Sequence, residues 1–239
     1  MDFPPIGQAG MGIVVPHDMA LDRELWRWVP GDVSLHLTRT PQSSLAVTVE
    51  MVSDISEPDI VARSVRDLTT TASQVYAYAC TSGSFIRGTS GERELARAMT
   101  AAGAPAAVTT SGALLKALTA LGVSRVAIAT PYDDAITARL EEFLLDADVD
   151  VVSSANLGLV SGIKNVPYET TAGLIRRADD PSAQAIFVSC TNLPTYDLIA
   201  SLEAELDKPV ITANQVTMWH SLQVIGRKAV GRGQRLLTH

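Results

Sequence analysis

Hydrophobic residues fall in short, nearly unbroken runs along the chain, and polar residues gather between them. The apolar, β-branched runs occupy 11–15, 33–38, 75–79, 106–109, 126–129, 149–153, 185–189 and 210–212. A run without alternation is the signature of a strand covered on both faces, and such strands belong to parallel sheets. Amphipathic stretches separate the runs. Helices are predicted over 63–71, behind Pro58 and Asp59 as start signals, and over 91–102, ending at Gly103 before Pro105. Another is predicted over 111–121, with Thr110 and Ser111 as caps and Gly122 as the stop. In 133–145, Ile136, Leu140 and Phe143 share one side, while Asp133 and Asp134 stand at the end the helix dipole favours. Stretches 170–177 and 195–206 complete the set. Strands alternating with helices define an α/β fold with parallel sheets.

The pattern also repeats. GIVVP at 12–16 resembles AIATP at 127–131, YAYACTSGSF at 76–85 resembles IFVSCTNLPTY at 186–196, and PAAVTTSGAL at 105–114 resembles PVITANQVTM at 209–218. The Cys-Thr pairs are offset by 190 − 80 = 110 residues and the first strands by 127 − 12 = 115. The prediction is two pseudo-symmetric lobes, each a four-stranded parallel sheet flanked by helices, with equivalent loops of both facing one cleft. The first lobe is 1–111, completed by the C-terminal segment 214–239, and the second is 112–213. No linker rich in Pro, Gly or Ser divides them, so one compact unit is expected.

Composition narrows the function. The 239 residues are 46% hydrophobic and 19% charged, which supplies a large core and excludes a disordered chain. A net charge of −7 argues against a nucleic-acid-binding face, so a site for a carboxylate has to be built locally. No apolar run approaches the roughly 20 residues that span a bilayer, and the first ten residues lack the order of a signal peptide. A cytoplasmic protein with no membrane partner is expected. Two distant cysteines and the scattered His17, His36, His220 and His239 give no metal-ligand spacing, and a disulfide is not expected in a reducing compartment.

Each cysteine follows directly on an apolar strand, where open α/β sheets bind their ligands. Thr81, Ser82, Gly83 and Ser84 follow Cys80, and Thr191 and Asn192 follow Cys190. Turns of this kind present unpaired backbone N–H groups that hold a carboxylate and are expected to lower a neighbouring thiol's pKa toward neutrality. Taken singly, a cysteine at a strand end is commonly a small core residue. Two at equivalent places in a repeat, each followed by Thr, favour chemistry. Thr109, Thr110 and Ser111 end the fourth strand of one lobe, and Ala213, Asn214 and Gln215 that of the other. Tyr132 follows the first strand of the second lobe; His17 and Asp18 hold the matching place in the first, where His17 reads as a loop histidine. Trp26 and Trp28 suit an interface of a homodimer or higher homo-oligomer, and Trp219 is expected near the cleft mouth. The basic tail GRKAVGRGQRLLTH reads as a surface segment.

The elbow ACTSGSFIRG at 79–88, the segment RVAIATPYDDAITARLEEFL at 125–144 and the second elbow VSCTNL at 188–193 resemble the aspartate/glutamate racemase superfamily. They look most like its branch of maleate cis–trans isomerases and arylmalonate decarboxylases, over most of the chain from Gly12 to about Leu222. The resemblance implies a cofactor-independent enzyme, with no metal, acting on a small carboxylate substrate, with the active site between the lobes. It implies Cys80 and Cys190 as catalytic residues and Thr81, Ser82, Tyr132, Thr191 and Asn192 as substrate-binding residues. The reaction expected is that of a maleate cis–trans isomerase, with Cys80 attacking the alkene carbon and Cys190 as acid or base. An amino-acid or hydantoin-type racemase and an arylmalonate decarboxylase-like enzyme are the alternatives, and a ligand-binding protein that lost catalysis is a third. Decarboxylases of the branch carry glycine in the first place, where Cys80 stands. Maleate isomerases carry an asparagine shortly after the first strand's proline, whereas Pro16 is followed by His17 and Asp18.

Overall fold

The computed structural model describes residues 7–239. Among them, eight strands form two sheets whose pairs are all parallel. The first sheet holds β1 (Ala9–Val15), β2 (Val33–Arg39), β3 (Val75–Tyr78) and β4 (Ala107–Thr109) in the order β2-β1-β3-β4. The second holds β5 (Arg125–Thr130), β6 (Asp150–Asn156), β7 (Ala185–Val188) and β8 (Val210–Thr212) in the order β6-β5-β7-β8. The central strands are buried along nearly their whole length, which is why they read as unbroken apolar runs.

The two orders are the same, so the lobes repeat one another. The Ala79 N–H donates to the Val14 carbonyl at 2.8 Å, and in the second lobe the Ser189 N–H donates to the Ala129 carbonyl at 2.9 Å. Those pairs differ by 189 − 79 = 110 and 129 − 14 = 115, the offsets of the sequence repeat. In this order the chain reverses its winding direction between β1 and β3, and between β5 and β7. A crevice opens at such a switch point beyond the strands' carboxyl ends. Pro16 and Cys80 follow the first pair of strands, and Pro131 and Cys190 the second.

Helices cover the sheets: α1 (Asp22–Leu25), α2 (Val49–Ile55), α3 (Pro58–Leu68), α4 (Thr81–Phe85), α5 (Gly88–Ala101), α6 (Thr110–Leu121), α7 (Asp134–Leu145), α8 (Tyr168–Ala178), α9 (Ile199–Leu206) and α10 (Ala213–Val224). Helix α3 starts at Pro58, five residues before the predicted start, because proline fits the first helical position, where no N–H is needed. Thr109 caps α6 and Thr212 caps α10 through their hydroxyls. These two helices pack against each other between the lobes, with the Thr110 and Thr217 hydroxyls 2.8 Å apart. The sequence pattern does not predict α10. Its first seven residues are all buried, so it has no polar stripe to reveal a period.

A seam ties the segment after β1 to the second lobe. Arg27 pairs bidentately with Asp197 and stacks over the Tyr196 ring at 3.6 Å. Trp28 is fully buried, its ring centroid 4.7 Å from that of Tyr196, and its Nε1 donates to Gln234. Of the two tryptophans expected at an interface, Trp28 is therefore core, while Trp26 is 43% exposed.

Candidate active site

Cys80 has extended backbone and caps α4, so the Gly83 N–H points at its Sγ from 3.4 Å. Gly83 has to be glycine: a Cβ there would stand 3.0 Å from Sγ and against the Tyr78 hydroxyl. Ser84 Oγ lies 2.8 Å from the carbonyls of both Cys80 and Thr81, and the Ser111 N–H donates to it at 3.0 Å. Cys190 is reached by the same route from β7 but sits at φ 86°, in the left-handed region that non-glycine residues rarely enter and that clusters at functional sites. No helix follows it directly. The Asn192 N–H approaches its Sγ at 3.4 Å.

Cys80, Thr81, Ser82, Tyr132, Cys190, Thr191 and Asn192 all line one narrow cavity, together with Pro16, Asp18, Val47, Met51, Ile55 and Ile163. Both thiols are unbridged and almost without solvent exposure. Asp18, Val47, Met51, Ile163 and Asn192 also line a neighbouring outer chamber, with His17, Leu45, Val160 and Lys164. Between the loops of the two lobes, the Val47 N–H donates to the Val160 carbonyl at 2.9 Å.

Thr81 Oγ1 is buried and has no hydrogen-bond partner among the described residues. A buried hydroxyl left unpaired is costly, and this one belongs to a residue of the cavity wall. The Asn192 side chain is engaged elsewhere: its Oδ1 accepts from the Ala20 N–H at 2.9 Å and its Nδ2 donates to the Asp18 carbonyl at 3.1 Å. That leaves its main-chain N–H for the cavity. Trp219, expected near the mouth, is instead buried on α10 beside the C-terminal segment.

The expected fall in thiol pKa is not what the closed cavity produces. Burial pushes Cys80 up to about 11, against the pull of the Gly83 N–H and the Ser82 hydroxyl. Burial likewise pushes Cys190 up to about 12, against the Tyr132 hydroxyl and the Asn192 N–H. Asp18 adds to both shifts. Burial lifts the Tyr132 phenol well above its ordinary value, so it stands as a neutral donor. Desolvation outweighs the aimed N–H groups, of which each sulfur receives one, at 3.4 Å.

Sequence reasoning missed α2, which brings Met51 and Ile55 to the cavity, although its apolar residues Met51, Val52 and Ile55 carried a short helical period. It also missed Glu24, a buried carboxylate behind the second elbow, which no local signal marks.

Two parallel-sheet lobes with both cysteines on one cavity between their switch points define a two-lobed α/β protein. The family model described as arylmalonate decarboxylase matches residues 48–237, and the chain belongs to that family. It is 35% identical over 156 residues to the arylmalonate decarboxylase of Bordetella bronchiseptica, a match covering 64% of this chain and 65% of that protein, just under two thirds of its length. A crystal structure of arylmalonate decarboxylase superposes with a TM-score of 0.82 at 29% identity, covering 96% of this chain and 99% of that one. The fold is also that of a maleate cis–trans isomerase variant from Nocardia farcinica with a covalently bound succinylcysteine intermediate. That chain gives a TM-score of 0.87 at 22% identity, with 96% of this chain and 98% of that one covered.

Proposed function

We propose that this chain is a cofactor-independent isomerase of a small carboxylic acid, with maleate cis–trans isomerisation as its reaction. The observation that carries the reading is that the Cys80 and Cys190 elbows and Tyr132 line one cavity. Cys80 loses its proton to water and the thiolate adds to an alkene carbon. The C–S bond forms as the π pair moves onto the neighbouring carbon and its carboxylate. The Thr81 and Ser82 hydroxyls, the Tyr132 phenol and the elbow N–H groups hold this enolate-like charge, and donors aimed in this way are each worth about 3 kcal/mol. Rotation about the new single bond and collapse of the enolate expel the thiolate and leave the trans acid. Cys190 serves as acid or base from the other elbow. Thr191 and Asn192 contribute donors, Asn192 through its main chain. The covalent intermediate named for the Nocardia isomerase is what such an addition forms.

A second reading is decarboxylation of a substituted malonate. The 35% identity to a decarboxylase favours it, as does the outer chamber, where Leu45, Val47, Met51 and Val160 offer apolar room for a large substituent. Cys80 stands against it, since the resemblance places glycine there in decarboxylases. No helix among the described residues is long and apolar enough to cross a membrane. We place the protein in the cytoplasm, as a homodimer that uses the face around Trp26.

Proton NMR of the full chain with maleate and, separately, with an arylmalonate tests the proposal. Fumarate formation that disappears in both Cys80→Ser and Cys190→Ser supports it. Loss of carbon dioxide from the malonate without any fumarate from maleate selects the second reading. Full activity in both serine variants defeats both.

A further inference from the structure

Glu24 is a buried carboxylate that the proposed chemistry leaves unused. It is 8% exposed, lies in α1 of the segment after β1, and reaches across to the second elbow. Its Oε1 accepts from the Thr195 hydroxyl at 2.8 Å and from Asn214 Nδ2 at 3.2 Å, and its Oε2 accepts from the Thr195 N–H at 3.2 Å. The same Asn214 nitrogen donates its other hydrogen to the Thr191 carbonyl at 3.0 Å. One carboxylate thus brackets the loop that follows Cys190, gripping Thr195 directly and Thr191 through Asn214.

This bracket acts alongside the bonds of the Asn192 side chain to the Asp18 carbonyl and the Ala20 N–H. Cys190 is left-handed, and no helix follows it to fix the amide that faces its sulfur. A carboxylate with both oxygens occupied costs less to bury than an open one, and its charge-assisted bonds are the strong kind. Burial still pushes the Glu24 carboxyl upward, against the pull of the Thr195 and Asn214 donors.

We propose that Glu24 is the positioning residue of the second thiol: its bracket holds residues 191–195 so that the Asn192 N–H faces Cys190 Sγ. The inference rests on reading Cys190 as a reacting thiol. It assigns control of a second-lobe thiol to a first-lobe carboxylate, so that the seam between the lobes and the readiness of Cys190 are one device.

Peptide-resolved alkylation of the full chain by iodoacetamide between pH 7 and 10 tests it, with Cys80 as the control in the same molecule. Glu24→Gln keeps the shape and one acceptor but turns an NH2 group against the Thr195 N–H. The expected result is Cys190 alkylation slower by about 3-fold or more across the range, equal to a pKa half a unit higher, with Cys80 within about 2-fold. Thr195→Ser keeps both donors and stays within about 2-fold of wild type, while Thr195→Val, lacking only the hydroxyl, falls between. On whichever substrate the NMR assay identifies, Glu24→Gln lowers kcat by about 10-fold with KM within about 2-fold. Cys190 alkylation that is unchanged or faster in Glu24→Gln, or that changes in parallel with Cys80, overturns the inference. If Cys190→Ser abolishes activity while Glu24→Gln is silent in both measurements, this inference alone falls. If Cys190→Ser keeps full activity, the underlying reading falls.

Discussion

Cys80 and Cys190 follow equivalent strands and are each followed by threonine, yet the two elbows are supported in opposite ways. The first supports itself. It opens α4, its amide comes from the same helical turn, and Ser84 and Ser111 of its own lobe fix its carbonyls. The second is supported from outside. Its backbone is left-handed, and the contacts that set it come from Glu24, from the Asp18–Ala20 main chain through Asn192, and from Asn214 of α10. A repeated sequence therefore does not imply repeated mechanics. The first thiol is set by contacts within its own lobe, whereas the second is held by the segment that follows β1.

Exchanging the thiols tests the sharpest form of that comparison. Cys80→Ser and Cys190→Ser are each expected to lower turnover by about 10³-fold or more, and the double variant to be no worse than the weaker single, because groups that act as one unit do not add. Steady-state kinetics on the substrate identified by NMR measures this. Additive losses would mean that the sulfurs act on separate steps.

Variants of the support come next in size. Gly83→Ala drives a Cβ against the Tyr78 hydroxyl and toward the Cys80 sulfur, an overpacking that costs about 1–3 kcal/mol in thermal denaturation. It is expected to change Cys80 alkylation and leave Cys190 alone. Ser84→Ala leaves the Ser111 N–H without its acceptor, while the Cys80 carbonyl keeps the Ser84 N–H and the Thr81 carbonyl keeps the Ser111 hydroxyl, and costs about 1–3 kcal/mol. If either variant alters both thiols equally, the first elbow does not support itself.

The same contrast explains what could be read from the sequence. The strands were legible because burial on both faces leaves each an unbroken apolar run, and the repeat was legible because equivalent strands keep equivalent neighbours. The residues 80–82 and 190–192 were legible as wall residues of one cavity because a strand end fixes where they go. Helix α10 was not, since its buried surface has no period. Trp28 suits either internal packing or an interface in sequence and is buried in the fold, because an aromatic that spans two lobes looks the same as one that spans two chains. Glu24, in RELWRW, has the composition of a surface turn, and only the fold brings Thr195 and Asn214 to it. The thiol pKa values were misread for a related reason: an amide near a sulfur is local, but the desolvation that outweighs it belongs to the closed cavity.

Asp18 gives the smallest effect and the one that should not distinguish the elbows. It lines the cavity and outer chamber, has no ion-pair partner among the described residues, and raises both thiols. An anion near a thiol disfavours the thiolate, so Asp18→Asn lowers both pKa values. Below its pKa a thiol reacts in proportion to its thiolate fraction, so both alkylation rates at pH 9 should rise together by about 2- to 5-fold. Stability gives the same sign. An unfolded thiol titrates near 8.5, while the folded ones are held up to about 11 and about 12, so above pH 8.5 the unfolded chain releases its protons first. The stability due to the protonated thiols is complete below that pH and is lost as pH rises through the folded values. Denaturation midpoints in urea should therefore fall between pH 8.5 and 11, and fall less in Asp18→Asn. A rise confined to one thiol would place Asp18 beside a single sulfur, and the mouth would then belong to one elbow rather than to both.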